Sequence, residues 1–200
     1  MGFSRNTKST LSLLLFLAAL GAVGYYFYYL SARSFVPAQF TEARINGSKI
    51  AQEIVSSTEE SLKNLNVISE EDRKSHPLTA LNLVNEELER AKESRKKAIS
   101  LTGELDVMAR FGVQIVPVRA RNLAMEAISH EISLVSHLIV YNDVLNGLLQ
   151  TLEFKFSGDI SGYSNEVQNL VKSMNAEAEE INNLNKLFNE KMKEFDSLTG

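Results

Sequence analysis

The residues best suited to chemistry in this chain gather on one stretch. His130 and His137 stand seven apart, so on a helix they share a stripe, with Glu126 and Glu131 beside them. Carboxylates and imidazoles at helical spacing can hold a metal, as in di-iron bundles that combine carboxylates from several helices with Glu-x-x-His pairs. Here Glu126 to His130 is an i, i+4 pair that occurs once, and Leu134 stands where a zinc H-E-x-x-H motif needs its second histidine. These side chains read instead as hydrogen-bonded or partly exposed helix positions, and neither a metal nor a cofactor is expected. No nucleophile elbow, phosphate-binding glycine loop or dinucleotide fingerprint is present, so an enzyme is not expected either. The chain has no cysteine, which excludes disulfides, thiolate metal sites and cysteine nucleophiles.

Arg95, Glu177 and Lys191, like Glu131, fall on apolar seams traced below. With His130 and His137 they are candidate buried polar or register residues, able to pair across helices or to line a ligand cavity.

The elements that would position these groups begin with an apolar run. Residues 9–32 carry no charge, are rich in Leu and Ala, and end in the tyrosine cluster Tyr25, Tyr26, Tyr28 and Tyr29. Twenty-four residues at about 1.5 Å each span roughly 36 Å, enough to cross a bilayer with some tilt. The tyrosines suit an interfacial belt. The expectation is a signal anchor over 9–32, preceded by a short tail (1–8) and followed by a juxtamembrane connection (33–47). The alternative is a cleaved signal peptide ending near Ala19-Leu20-Gly21, which would leave the aromatic half as an apolar mature terminus. Asn6 breaks the myristoylation pattern. Orientation is close to a tie, with Arg5 and Lys8 facing Arg33, Arg44 and Lys49. The favoured reading puts the N-terminus in the cytoplasm and the domain outside it.

The remainder, residues 48–200, reads as an all-α antiparallel bundle of about four long helices. Apolar residues recur at 3-4 spacing, the seam period of packed helices. One seam runs Leu81, Val84, Leu88, Ala91, Arg95, Ala98, Thr102, Leu105, Ala109, with Pro77 at the helix start. The most apolar follows as Ala124, Ala127, Glu131, Leu134, Leu138, Tyr141, Leu145, Leu148, Leu152 and should be the central helix. The last contains Val167, Leu170, Met174, Glu177, Ile181, Leu184, Phe188, Lys191 and Phe195. An earlier, weaker stretch over 48–65 uses Ile50, Ile54, Thr58, Leu62 and Leu65, with Asn46-Gly47 as a break before it. The layout of an N-terminal span followed by a helical bundle resembles that of LemA-type proteins, a resemblance of layout alone from which no residue roles follow.

Between the second and third helices, residues 111–118 form an apolar connection flanked by arginines. If the chain leaves the membrane up one helix and returns down the next, this connection comes back to the bilayer. Phe111, Val113, Ile115 and Val116 could then enter the interface while Arg119 and Arg121 meet anionic headgroups. An ordinary helix junction is the alternative. All acidic residues follow position 41 and the net charge is −4, which argues against nucleic acid as a partner. The expected partners are the lipid bilayer and either another protein or a second copy. The expected function is a membrane-anchored interaction or scaffold module, with a ligand-sensing domain working through a partner as the alternative.

Overall fold

A computed structural model describes residues 34–158 and 163–200, and the expected tail and anchor over 1–32 lie outside the described residues. Four helices follow one another: α1 (Ala38–Arg73), α2 (Pro77–Gly112), α3 (Val118–Phe156) and α4 (Ser164–Thr199). Each is 36 to 39 residues long, or about 54–58 Å. The chain's three prolines stand at the starts of the first three, where a fixed φ helps and the missing N–H has no partner to lose. Gly158 ends α3 with φ at +86°, a conformation that other residues adopt only with strain.

No strand forms among the described residues. The one extended contact is an isolated bridge in which Phe35 and Val116 exchange two backbone hydrogen bonds of 3.0 Å. This ties the α2–α3 junction to the segment entering α1. Thr199, at the end of α4, accepts a hydrogen bond from Ser34 Oγ (3.4 Å), so the entry, the junction and the C-terminus share one end of the bundle, here called the base.

Helices adjacent in sequence pack side by side. In contrast, no Cα of α1 comes within 8 Å of one of α4. Most of the buried apolar residues fall into two clusters, one at the base around Phe40, Leu105, Ile128 and Phe195, the other at the top around Ile68, Val84, Leu149 and Phe156. Between them lies a polar waist containing Ser61, Ser94 and Asn142.

Three expectations need correction. First, α1 begins at Ala38, so residues 38–47 are its first turns and not a connection. Gly47 lies inside the helix, facing Leu101 closely enough that a Cβ would sit 3.3 Å from its Cδ1. Second, the α1 seam runs Phe40, Ala43, Gly47, Ile54, Ser61, Ile68, and Leu62 is exposed. Third, α2 buries Ala80, Val84, Glu87, Ala91, Ser94, Ala98, Leu101, Leu105 and Met108. Val84, Ala91, Ala98 and Leu105 agree with the sequence seam, but the alternate positions shift by one residue. Arg95 is therefore exposed, where it pairs with Asp143 of α3 at 3.0 Å.

By length and composition α3 alone among the described helices could cross a membrane. Its apolarity also has a use within the bundle. One stripe (Ala124, Ala127, Leu134, Tyr141, Leu148) and a second (Ile128, Val135, Asn142, Leu149) are both buried, as a helix packed between two neighbours requires.

Candidate functional site

The separation of α1 from α4 leaves a groove along the bundle. Its larger part, about 1130 Å³, has α1 and α4 as walls and α3 as floor, and a second volume of about 460 Å³ continues it toward the base. At the base the seam is shut. Phe40 and Phe195 pack with ring centres 5.7 Å apart and planes tilted by 46°, and Arg44 holds Asp196. At the top, Lys155 of α3 pairs with Asp72 of α1.

Glu131 stands where the two volumes meet, with Ala51, Val55, Glu59, Leu101 and Asn185 around it. It is 7 % exposed, and its Oε2 has no hydrogen-bond partner among the described residues. Burial alone pushes its carboxyl up to about 7. Removing a carboxylate from water without a partner is costly, and the proton is the available remedy. No cation pairs with Glu131 or Glu59 among the described residues, although most other acids near the helix interfaces are paired.

The groove walls are unusually apolar for open surface. Val55 is 58 % exposed, and Leu62 and Val171 are also exposed. On α4 the same surface carries a row of amides, Gln168, Asn175, Asn182 and Asn189, each seven residues from the next.

The other expected site residues separate into groups. His137 and Glu177 meet across α3 and α4, Nδ1 to Oε2 at 2.7 Å. Lys191 crosses the same interface to Glu126 at 2.7 Å, which holds the Glu126 carboxyl below its usual range and raises the Lys191 ammonium above its own. His130 is half-buried on α3, one residue from Glu131. No group of three or more His, Asp or Glu side chains converges to hold a metal among the described residues.

At the junction, Val113 is 55 % exposed and Val116 is exposed, as are Phe35 and Val118 beside them. Ile115 is corrected: at 1 % exposure it belongs to the basal core and cannot reach a lipid surface while the bundle is folded. Phe111 is half-buried and packs on the same core. Arg119 is exposed, whereas Arg121 is half-buried and donates to the Val113 carbonyl at 3.3 Å.

Sequence reasoning missed Glu87, which is fully buried. Its Oε1 accepts from Asn64 Nδ2 (2.5 Å) and Arg90 Nε (2.9 Å), while Arg90 also reaches Glu60. This network ties α1 to α2. It also missed the groove, because Leu62 and Leu65 read as bundle seam while Val171, set among amides, reads as solvated helix surface.

No protein-family model matches the chain, and no curated protein or solved structure matches it either.

Proposed function

We propose that the chain is a membrane-anchored helical module that binds a protein partner through the α1/α4 groove. The observation that carries this reading is the unclosed seam, an apolar groove with a buried carboxyl at its middle that has no partner among the described residues. A bundle whose only task was to be stable would bring α1 against α4 and bury Val55, Leu62 and Val171.

The anchor reading rests on residues 9–32, which suit a span in length and apolarity. It gains support from the base. Ser34 emerges beside an exposed apolar set, Phe35, Val113, Val116 and Val118, with Arg119 next to it, as a surface resting on a bilayer would need. In this reading the bundle stands on the membrane, outside the cytoplasm, with the groove rising from the base.

Two experiments test the function. Carbonate extraction should leave the whole chain in the membrane pellet at full length, while a shortened species in the soluble fraction would point to a cleaved signal. Val55→Asp with Val171→Asp should abolish a stoichiometric partner in solubilised membranes, and Leu78→Asp, at the far end of α2, should not. Equal partner recovery from both variants would reject the groove as the binding surface.

A ligand-sensing role is the second reading, favoured by the enclosed Glu131 carboxyl. It requires small-molecule-dependent thermal shifts of the purified chain with no protein present.

A further inference from the structure

We propose that the occupant of the α1/α4 groove is an amphipathic α-helix of a partner protein, its apolar stripe seated on α3 and one basic residue facing Glu131. The proposal rests on reading the groove as a binding site and names what enters it.

Both walls carry a second 3-4 seam, of which only Ala51, Leu65 and Ala178 also pack against the bundle's cores. On α1 it runs Ala51, Val55, Thr58, Leu62, Leu65, Ser69. On α4 it runs Gln168, Val171, Asn175, Ala178, Asn182, Asn185. Alternating steps of three and four residues are the period at which one α-helix meets another, and small residues between the larger ones provide holes for incoming side chains. The groove spans Ala51 to Asp72 on α1, about 32 Å at 1.5 Å per residue, the length of a helix of some twenty residues. Helix-in-groove recognition commonly uses anchors spaced in this way.

Charge narrows the choice. Glu131 and Glu59 both face the groove at the level where its two volumes meet, and neither has a cation partner among the described residues. A lysine or arginine on the incoming helix would supply the missing partner, and a charge pair shielded from water is worth more than one at the surface. The amides repeating every seventh residue on α4 would fix the register, as polar seam residues do in coiled coils.

Other occupants fit less well. Residues 9–32 carry no charge for the two carboxylates, and the Phe40–Phe195 and Arg44–Asp196 contacts stand between Ser34 and the groove. A lipid chain has nothing to offer the amide row. A second copy brings its own concave groove, and two concave faces do not fill each other.

The test places the photo-crosslinker benzoylphenylalanine at Val55, Leu62 or Val171 of the full chain in its native membranes, with Leu78 as control. Mass spectrometry then maps the adducts. The expected result is adducts in a single segment of another protein, at positions three, four or seven apart, with a Lys or Arg within two turns of the Val55 adduct. Glu131→Gln keeps the side-chain shape, removes the charge, and should lower the Val55 adduct yield at least tenfold. Adducts to lipid, to a second copy or to residues 9–32 would overturn the proposal, as would an unchanged yield with Glu131→Gln. Protein adducts without helical spacing would reject the helix but keep the interaction module, whereas no protein adduct at groove positions would reject both.

Discussion

Arg44 grips Asp196 through two hydrogen bonds of 2.6 and 2.8 Å, and among the described residues this is the one ion pair that joins α1 to α4. Beside it Phe40 and Phe195 are both buried and in contact. The two pairs close the base of a seam that is otherwise open.

Their contributions should differ widely. The Arg44–Asp196 pair is half-exposed and screened, so Arg44→Ala should cost less than about 1 kcal/mol. Phe40 is enclosed by the basal core, and Phe40→Ala should cost about 3–5 kcal/mol through lost burial and the cavity left behind. Chemical denaturation of the two variants checks the ranking, and a larger loss for Arg44→Ala would contradict it.

Glu131 should make stability fall as pH rises. Its carboxyl is raised from 4.5 to about 7 by burial, so the folded chain holds a proton that the unfolded chain has released. Below about pH 4.5 both forms are protonated and nothing is lost. Through the window up to about pH 7 stability declines, and above it the penalty reaches about 3 kcal/mol at most, from 1.36 kcal/mol per pKa unit. Glu131→Gln lacks this titration. Denaturation midpoints compared at pH 5 and pH 8 should show the variant gaining on the parent at the higher pH, and a pH-independent difference would show that the carboxyl is not buried as described.

The glycines of α1 and α2 should respond in opposite ways. A Cβ on exposed Gly103 meets nothing within 4 Å, so Gly103→Ala should stabilise the helix by about 1 kcal/mol. Gly47 faces Leu101 at the α1–α2 contact, and Gly47→Leu should destabilise by about 1–3 kcal/mol through overpacking. Thermal unfolding of the pair settles the signs.

The base should touch lipid. Because the chain lacks cysteine, a fluorophore can be placed at one site through Val116→Cys or, at the far end of α2, Leu78→Cys. In bilayers containing brominated lipid, the probe at 116 should be quenched and the probe at 78 should not. Equal quenching at both positions, or none at 116, would lift the base off the membrane.

How much of this was legible in the sequence varies from helix to helix. The α4 seam stands out because Leu170, Met174, Ile181, Leu184, Phe188 and Phe195 are large and apolar, and all are at least half-buried. In α2 the same logic chose Leu88, Arg95 and Thr102 where the fold buries Glu87, Ser94 and Leu101. A heptad anchored on Val84, Ala91, Ala98 and Leu105 allows either set of alternate positions, and only the neighbouring helix decides between them. In α1 the buried positions include Gly47 and Ser61, which carry little or no apolar side chain, so apolar periodicity is weak there. Glu131 was visible as a polar residue on a seam. That its carboxyl faces an open groove depends on α1 and α4 staying apart, and no pattern within one helix encodes that.

The most direct measurement concerns occupancy of the groove in native membranes, where the chain is proposed to be anchored. Val55→Cys and Val171→Cys, with Leu78→Cys as the reference, are labelled with a maleimide first in native membranes and then after purification. Partner binding along α1 and α4 should slow labelling at 55 and 171 at least tenfold in native membranes, with the difference vanishing on purification and position 78 reacting alike in both. Equal rates at 55 and 171 in the two settings would mean that the groove stands unoccupied, and the account of this chain as a groove-binding module would fail.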